Sequence, residues 1–129
     1  MSALDVIKAH YDANDRGDLA GMLAPFADDI RWTEMAGFPC AGTYVGAEEI
    51  VKNVFARLAE EWDGYTCTVT ELHEAGDVVV GLGSYTATHK ATGRFVEARV
   101  AHVWRVAGDK AVAFEQFTDT LLFERAAHT

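Results

Sequence analysis

The 129-residue sequence predicts an α+β fold in which three N-terminal helices pack on one face of a curved, mainly antiparallel sheet. Three observations carry that expectation. Up to Trp62 the apolar residues recur mostly at helical spacing, whereas beyond Gly64 β-branched and aromatic residues run in stretches separated by turn sequences. Half the residues are hydrophobic and 24% are charged, the balance of a folded globular chain. No repeat, linker or low-complexity stretch divides the chain, so residues 1–129 read as one domain.

The first helix runs from Ser2 to Asn14, with Leu4, Ile7 and Tyr11 at helical spacing. Ser2 is placed to cap it, and Asp5 follows three residues later as in a capping box. Arg16-Gly17-Asp18 breaks the chain, and Asp18 is the N-cap for a short second helix carrying Leu19, Met22, Leu23 and Phe26. After Asp28-Asp29 the run Ile30 to Met35 alternates as a strand, and Pro39 with three glycines between Gly37 and Gly46 predicts a turn-rich lip. Glu48 and Glu49 suit the positive end of a third and longest helix, whose apolar face runs from Ile50 through Val51, Val54, Phe55, Leu58 and Ala59 to Trp62. Turn sequences at 74–77, 90–93 and 107–110 then divide the remainder into four consecutive antiparallel strands, ending in a frayed tail.

A formal net charge of -9 works against binding a phosphodiester backbone, where affinity depends on Lys and Arg. Cys40 and Cys67 stand alone, with no CxxC and no His at a zinc-ligand spacing, so no metal site is indicated. No apolar run approaches the roughly 20 residues that span a bilayer, and the chain reads as a cytoplasmic protein. No phosphate loop or Ser-His-Asp set appears, and the expectation is chemistry without a cofactor.

Several segments together resemble the SnoaL-like and ketosteroid-isomerase-like branch of the NTF2-like superfamily. They are Tyr11 to Asp18, Phe26 to Glu34, Gly42 to Gly46, Ala101 to Trp104 and Gln116 to Thr120. Taken in order they cover nearly the whole chain. The resemblance implies a cone-shaped half-barrel, three helices closing one side, an interior cavity for a small hydrophobic molecule and a homodimer.

Candidate acid-base residues follow from the strand patterns and the resemblance together. Glu34 ends an alternating strand on the face of Trp32, and the resemblance places it where the isomerases carry their general-base Asp. A carboxyl beside an indole in a dry cavity has a raised pKa, as proton abstraction next to a carbonyl needs. His102, on a strand with Trp104 on the same face, resembles in position the protonated Asp that binds the isomerase oxyanion; an imidazole there can donate that bond or act as acid or base. His102 either lines the cavity or is a satisfied core histidine, and Glu34 is either catalytic or a strand-end Glu at the solvent-exposed rim. The isomerases' oxyanion-binding Tyr corresponds to His10, with Tyr11 next to it, so the steroid-isomerase triad is not reproduced.

Asp119 matches the last-strand Asp of the polyketide cyclases. Strand parity, however, sets it opposite Gln116 unless a bulge intervenes, leaving an outward Asp as the other reading. Glu97, Arg99 and Asp119 suggest the acid-arginine set of the limonene-epoxide hydrolases, but Glu97 and Arg99 lie on the face away from His102. His73 and His89 fall near strand ends, where exposure is expected. Further pocket residues are His10, Tyr11, Trp32, Phe38, Phe55, Trp104, Phe114 and Gln116.

The leading functional expectation is a cofactor-free isomerase, cyclase or lyase acting on a small carbonyl or polyketide-like compound. The alternatives are a binding module without turnover, an epoxide hydrolase, and a protein whose outer sheet face mediates association. The deciding observation is whether Glu34, His102 and Asp119 open into one cavity; if they do not converge, the enzymatic reading falls.

Overall fold

A computed structural model describes residues 1–128. Helix α1 (Ala3–Asp15) begins with the expected capping box: Asp5 N donates to Ser2 Oγ at 3.1 Å and Ser2 N donates to Asp5 Oδ2 at 3.2 Å. Two of the four N–H groups orphaned at a helix start are thereby satisfied. Asp18 caps α2 (Leu19–Leu23) through a bond from Gly21 N at 3.0 Å. Phe26 lies outside this helix, as the first residue of strand β1 (Phe26–Glu34).

The predicted lip contains a further strand. β2 (Gly42–Val45) pairs antiparallel with β1, setting Tyr44 opposite Trp32 and Gly42 opposite Glu34. Thr43, Tyr44 and Val45 favour extended backbone, and a sheet edge within reach outweighs the flexibility of the flanking glycines.

The third helix is a composite rod over 47–61. α3 (Ala47–Ile50) passes into a π-helical turn (Val51–Phe55) and then α4 (Ala56–Glu61). The wider turn rotates the helix, so its most deeply buried side chains are Ile50, Val54 and Leu58. Trp62 is not on this helix: it opens β3 (Trp62–Ala75) with no intervening loop.

Strands β3, β4 (Val78–His89), β5 (Phe95–Ala107) and β6 (Lys110–Thr118) form the expected antiparallel meander. β1 joins it parallel to β6, giving the order β2-β1-β6-β5-β4-β3. The register between β3 and β4 slips near Val69 and Glu71. At that point Gly83 packs so closely that a Cβ would lie 1.9 Å from Thr68 O, so only glycine permits this bulge and the bend it gives the sheet.

The tail is ordered as α5 (Thr120–Ala127). Phe123, wholly buried, meets Phe38 with ring centroids 4.9 Å apart and Trp62 at 5.4 Å. Thr92 Oγ1 donates to Ala126 O at 2.5 Å, fastening the far end of this helix to the β4–β5 turn. Burial of Phe123 outweighs the marginal intrinsic stability of eight residues of isolated helix. Among the described residues no helix is long and apolar enough to cross a membrane.

Candidate functional site

Between the sheet's inner face and the helices lies a cavity of about 540 Å³. Alternation on β1 turns Trp32 and Glu34 into it, and alternation on β5 does the same for His102. α1 contributes His10, Tyr11 and Asn14, the helical rod contributes Val54, Phe55 and Leu58, and β3 contributes Trp62, Tyr65 and Cys67. Leu19, Ala59, Asp63 and Gly64 are exposed lining residues and mark the mouth.

The inner wall carries a buried hydrogen-bonded chain centred on His102. Its Nδ1 lies 2.5 Å from the Tyr11 hydroxyl and its Nε2 lies 2.6 Å from the Tyr85 hydroxyl. Trp104 Nε1 donates to Tyr11 Oη at 2.8 Å, and Gln116 Nε2 donates to Tyr85 Oη at 3.2 Å. The Gln116 amide is oriented by Met35 N, which donates to its Oε1 at 3.4 Å. Gly81 faces His102 across the β4–β5 ladder, and a Cβ there would sit 3.1 Å from the Tyr11 hydroxyl, so its bareness makes room for that hydroxyl.

Burial dominates the electrostatics. It depresses His102 to about 3, with a minor push from His10, so the ring is neutral at physiological pH. His10, also depressed by burial to about 4, is locked by a 2.8 Å bond from Nδ1 to Met22 O and stacks on Phe26. The Tyr11, Tyr65 and Tyr85 hydroxyls are pushed well above their usual range by burial, and Cys67 is pushed up to about 12 by the same cause.

Glu34 is different. Burial raises it to about 8, and the Trp32 indole offsets only part of that because it lies outside hydrogen-bonding geometry. Glu34 Oε2 and Trp32 Nε1 are both buried without a partner. A carboxyl of this pKa is mostly protonated at pH 7, with about a tenth in the carboxylate form.

The expected site residues thus divide. Glu34, His102, His10, Tyr11, Trp32, Phe55 and Phe114 line the cavity; Trp104, Phe38 and Gln116 are buried behind its wall. Asp119 does not reach it: it is the exposed N-cap of α5, its Oδ1 accepting from Leu122 N at 3.4 Å. Strand β6 ends at Thr118, so no bulge turns Asp119 inward. His102 lines the cavity but has neither ring nitrogen free, so the groups able to bond a ligand there are its two tyrosines. Glu97 and Arg99 stand on the outer face, as strand parity predicts. His73 is exposed, whereas His89 is half-buried against Trp62, centroids 4.7 Å apart.

Sequence reasoning missed Tyr85 and Tyr65 as site residues. A signal for Tyr85 was present: Gly81, Gly83 and Ala87 share its face of β4, leaving space beside one large polar-tipped ring. Among the described residues no group of three or more His, Cys, Asp or Glu side chains is placed to hold a metal ion.

Residues 7–114 match the family described as the SnoaL-like domain. An NTF2-like protein from Burkholderia thailandensis is 56% identical, with a TM-score of 0.98 over 100% of this chain and 99% of that one. An NTF2-like protein of unknown function from Burkholderia pseudomallei is 30% identical, with a TM-score of 0.89 and full coverage of both chains (100% each). TerC, co-crystallised with polyporic acid, is 27% identical with a TM-score of 0.85 over 98% of each chain. No curated protein matches the chain.

Proposed function

This chain belongs to the SnoaL-like domain family of the NTF2-like superfamily, and on that premise we propose that its cavity binds a small, flat carbonyl compound and moves a proton on it. The observation that carries this reading is Glu34, an unpartnered carboxyl raised to about 8, in the same cavity as the Tyr11 and Tyr85 hydroxyls. Tyr11, Trp32, Phe55, Trp62, Tyr65, Tyr85 and Phe114 give the walls flat apolar surfaces that suit a planar ligand.

In this reading the Glu34 carboxylate takes a proton from the carbon beside the carbonyl. The C–H electron pair becomes the C=C bond of an enolate, the carbonyl π pair moves onto oxygen, and a tyrosine O–H donates to that oxygen. The protonated Glu34 then returns the proton to a different carbon, which isomerises the compound, or the enolate carbon attacks a second carbonyl of the same molecule, which closes a ring, and Glu34 gives its proton to the alkoxide so formed. His102 holds the tyrosines and transfers no proton to the ligand. Glu97, Arg99 and Asp119 lie away from the cavity, so the acid-arginine set of the epoxide hydrolases does not assemble there.

The test is deuterium exchange. In D2O, wild-type protein should accelerate exchange beside the carbonyl in a panel of cyclic ketones and hydroxyquinones, and Glu34→Gln should not. Polyporic acid, the ligand of TerC, is the first binding probe, read by quenching of Trp32 and Trp62 fluorescence. Binding without exchange anywhere in the panel would reduce the protein to a binding module. We further propose a homodimer formed through the outer sheet face, where Phe95 and Phe117 stand 65% and 42% exposed; sedimentation should give the mass of two chains, and the mass of one would overturn it.

A further inference from the structure

The chain Tyr11–His102–Tyr85 contains two internal links, one at each imidazole nitrogen. A neutral imidazole has one N–H and one bare nitrogen, and each tyrosine has one O–H. Three protons are therefore available for two links. Neither flanking group can absorb the extra one: Trp104 Nε1 carries a hydrogen and only donates, and Gln116 presents its NH2 because its oxygen faces Met35 N. Tyr65 also lines the cavity, and its coupling to the Tyr85 hydroxyl would bring one more proton and one more link, leaving the excess at one.

We propose that this wall offers a ligand one phenolic O–H at a time, and that the tautomer of His102 decides whether Tyr11 or Tyr85 offers it. With the proton on Nε2, the imidazole donates to Tyr85, Tyr11 donates to Nδ1, and the Tyr85 O–H is left for the cavity. With the proton on Nδ1, the imidazole donates to Tyr11, Tyr85 donates to Nε2, and the Tyr11 O–H is left. His102 is thus a positioning residue that sets where a ligand's acceptor is held. The two acceptor positions exclude each other: a ligand oxygen bound at one tyrosine fixes the tautomer and withdraws the donor from the other. A compound with two carbonyl oxygens spanning both receives one donated bond. Burial supports the count by keeping the ring neutral.

The inference concerns the cavity of the proposed reaction but does not need turnover, so a protein that only binds would pass its test. The test is the ring ¹⁵N spectrum of the full, ligand-free chain labelled at histidine, with His102 assigned as the signal lost in His102→Gln. Bare and protonated ring nitrogens resonate in separate ranges. Tyr11→Phe removes the only acceptor at Nδ1, so the proton should settle on Nε2; Tyr85→Phe removes the only acceptor at Nε2, so it should settle on Nδ1. Opposite tautomers in the two variants are expected, with wild-type shifts averaged between them. The same tautomer in both, or a doubly protonated wild-type ring at neutral pH, overturns the proposal. Should either variant not fold, the wild type decides alone: on warming, the Nδ1 and Nε2 shifts should move in opposite directions, and a ring frozen at one tautomeric limit sinks the idea.

Discussion

The two polar ends of the cavity wall differ in how completely they are satisfied. Around His102 both ring nitrogens, both tyrosine oxygens, the Trp104 indole and the Gln116 amide have partners. Around Glu34 neither Oε2 nor the neighbouring Trp32 Nε1 has one. A linked network in a low-dielectric interior is stiff and holds its members in place, with one phenolic O–H over for a ligand, whereas an open carboxyl carries its desolvation cost as a raised pKa. The first end is suited to holding an acceptor, the second to exchanging a proton.

The largest effect that can break this contrast is at Glu34. Glu34→Gln should lower turnover by about 10²–10⁴-fold, the usual worth of one positioned acid-base group, while the Kd of a bound probe changes only a few-fold. Equal losses in both would make Glu34 a binding residue.

Next is pH-dependent stability. Unfolded Glu34 loses its proton near 4.5 but the folded carboxyl keeps it to about 8, so across that window the native state holds the extra proton and stability falls as pH rises. The loss is on the order of 5 kcal/mol when complete. His10 and His102 act oppositely: unfolded they protonate below 6.5, folded only near 4 and 3, so stability falls as pH drops below 6.5. Urea denaturation across pH should place the maximum near pH 6.5, and Glu34→Gln should flatten its alkaline side and steepen the rise between about pH 4.5 and 6.5.

The saturated end should respond in stability before turnover. Trp104→Phe leaves the Tyr11 hydroxyl without its donor and should cost about 1–3 kcal/mol in denaturation. A larger loss in deuterium exchange than in stability would mean that this network takes part in the chemistry. The smallest effect belongs to the candidate that lies outside the cavity: Asp119→Ala should cost about 1 kcal/mol through the lost cap of α5 and leave exchange unchanged.

Legibility followed the range of the interactions. The α1 capping box, the three turns of the meander and the inward parity of Trp32, Glu34, His102 and Phe114 depend on neighbours a few residues apart, and all were readable. Helix α5 was hidden because Phe117, Asp119 and Leu121 alternate like a continuing strand, although Asp119 followed by Phe123 and Ala126 at helical spacing was a usable signal. Cys40 gave no local sign of its burial, and Phe38, expected at the cavity, is instead covered by Phe123 of α5.

By itself the sequence determined the α+β class and which side chains face inward, because periods of 3.6 and 2 are local properties of the backbone. Only the tertiary structure decided which inward residues meet. Tyr11 and His102 are 91 positions apart and Tyr85 is 17 from His102, so their contact depends on sheet register, on the bareness of Gly81 and on where α1 crosses the sheet. The same packing left Glu34 unpartnered, because burial and the absence of a donor are facts about space that no spacing along the chain encodes.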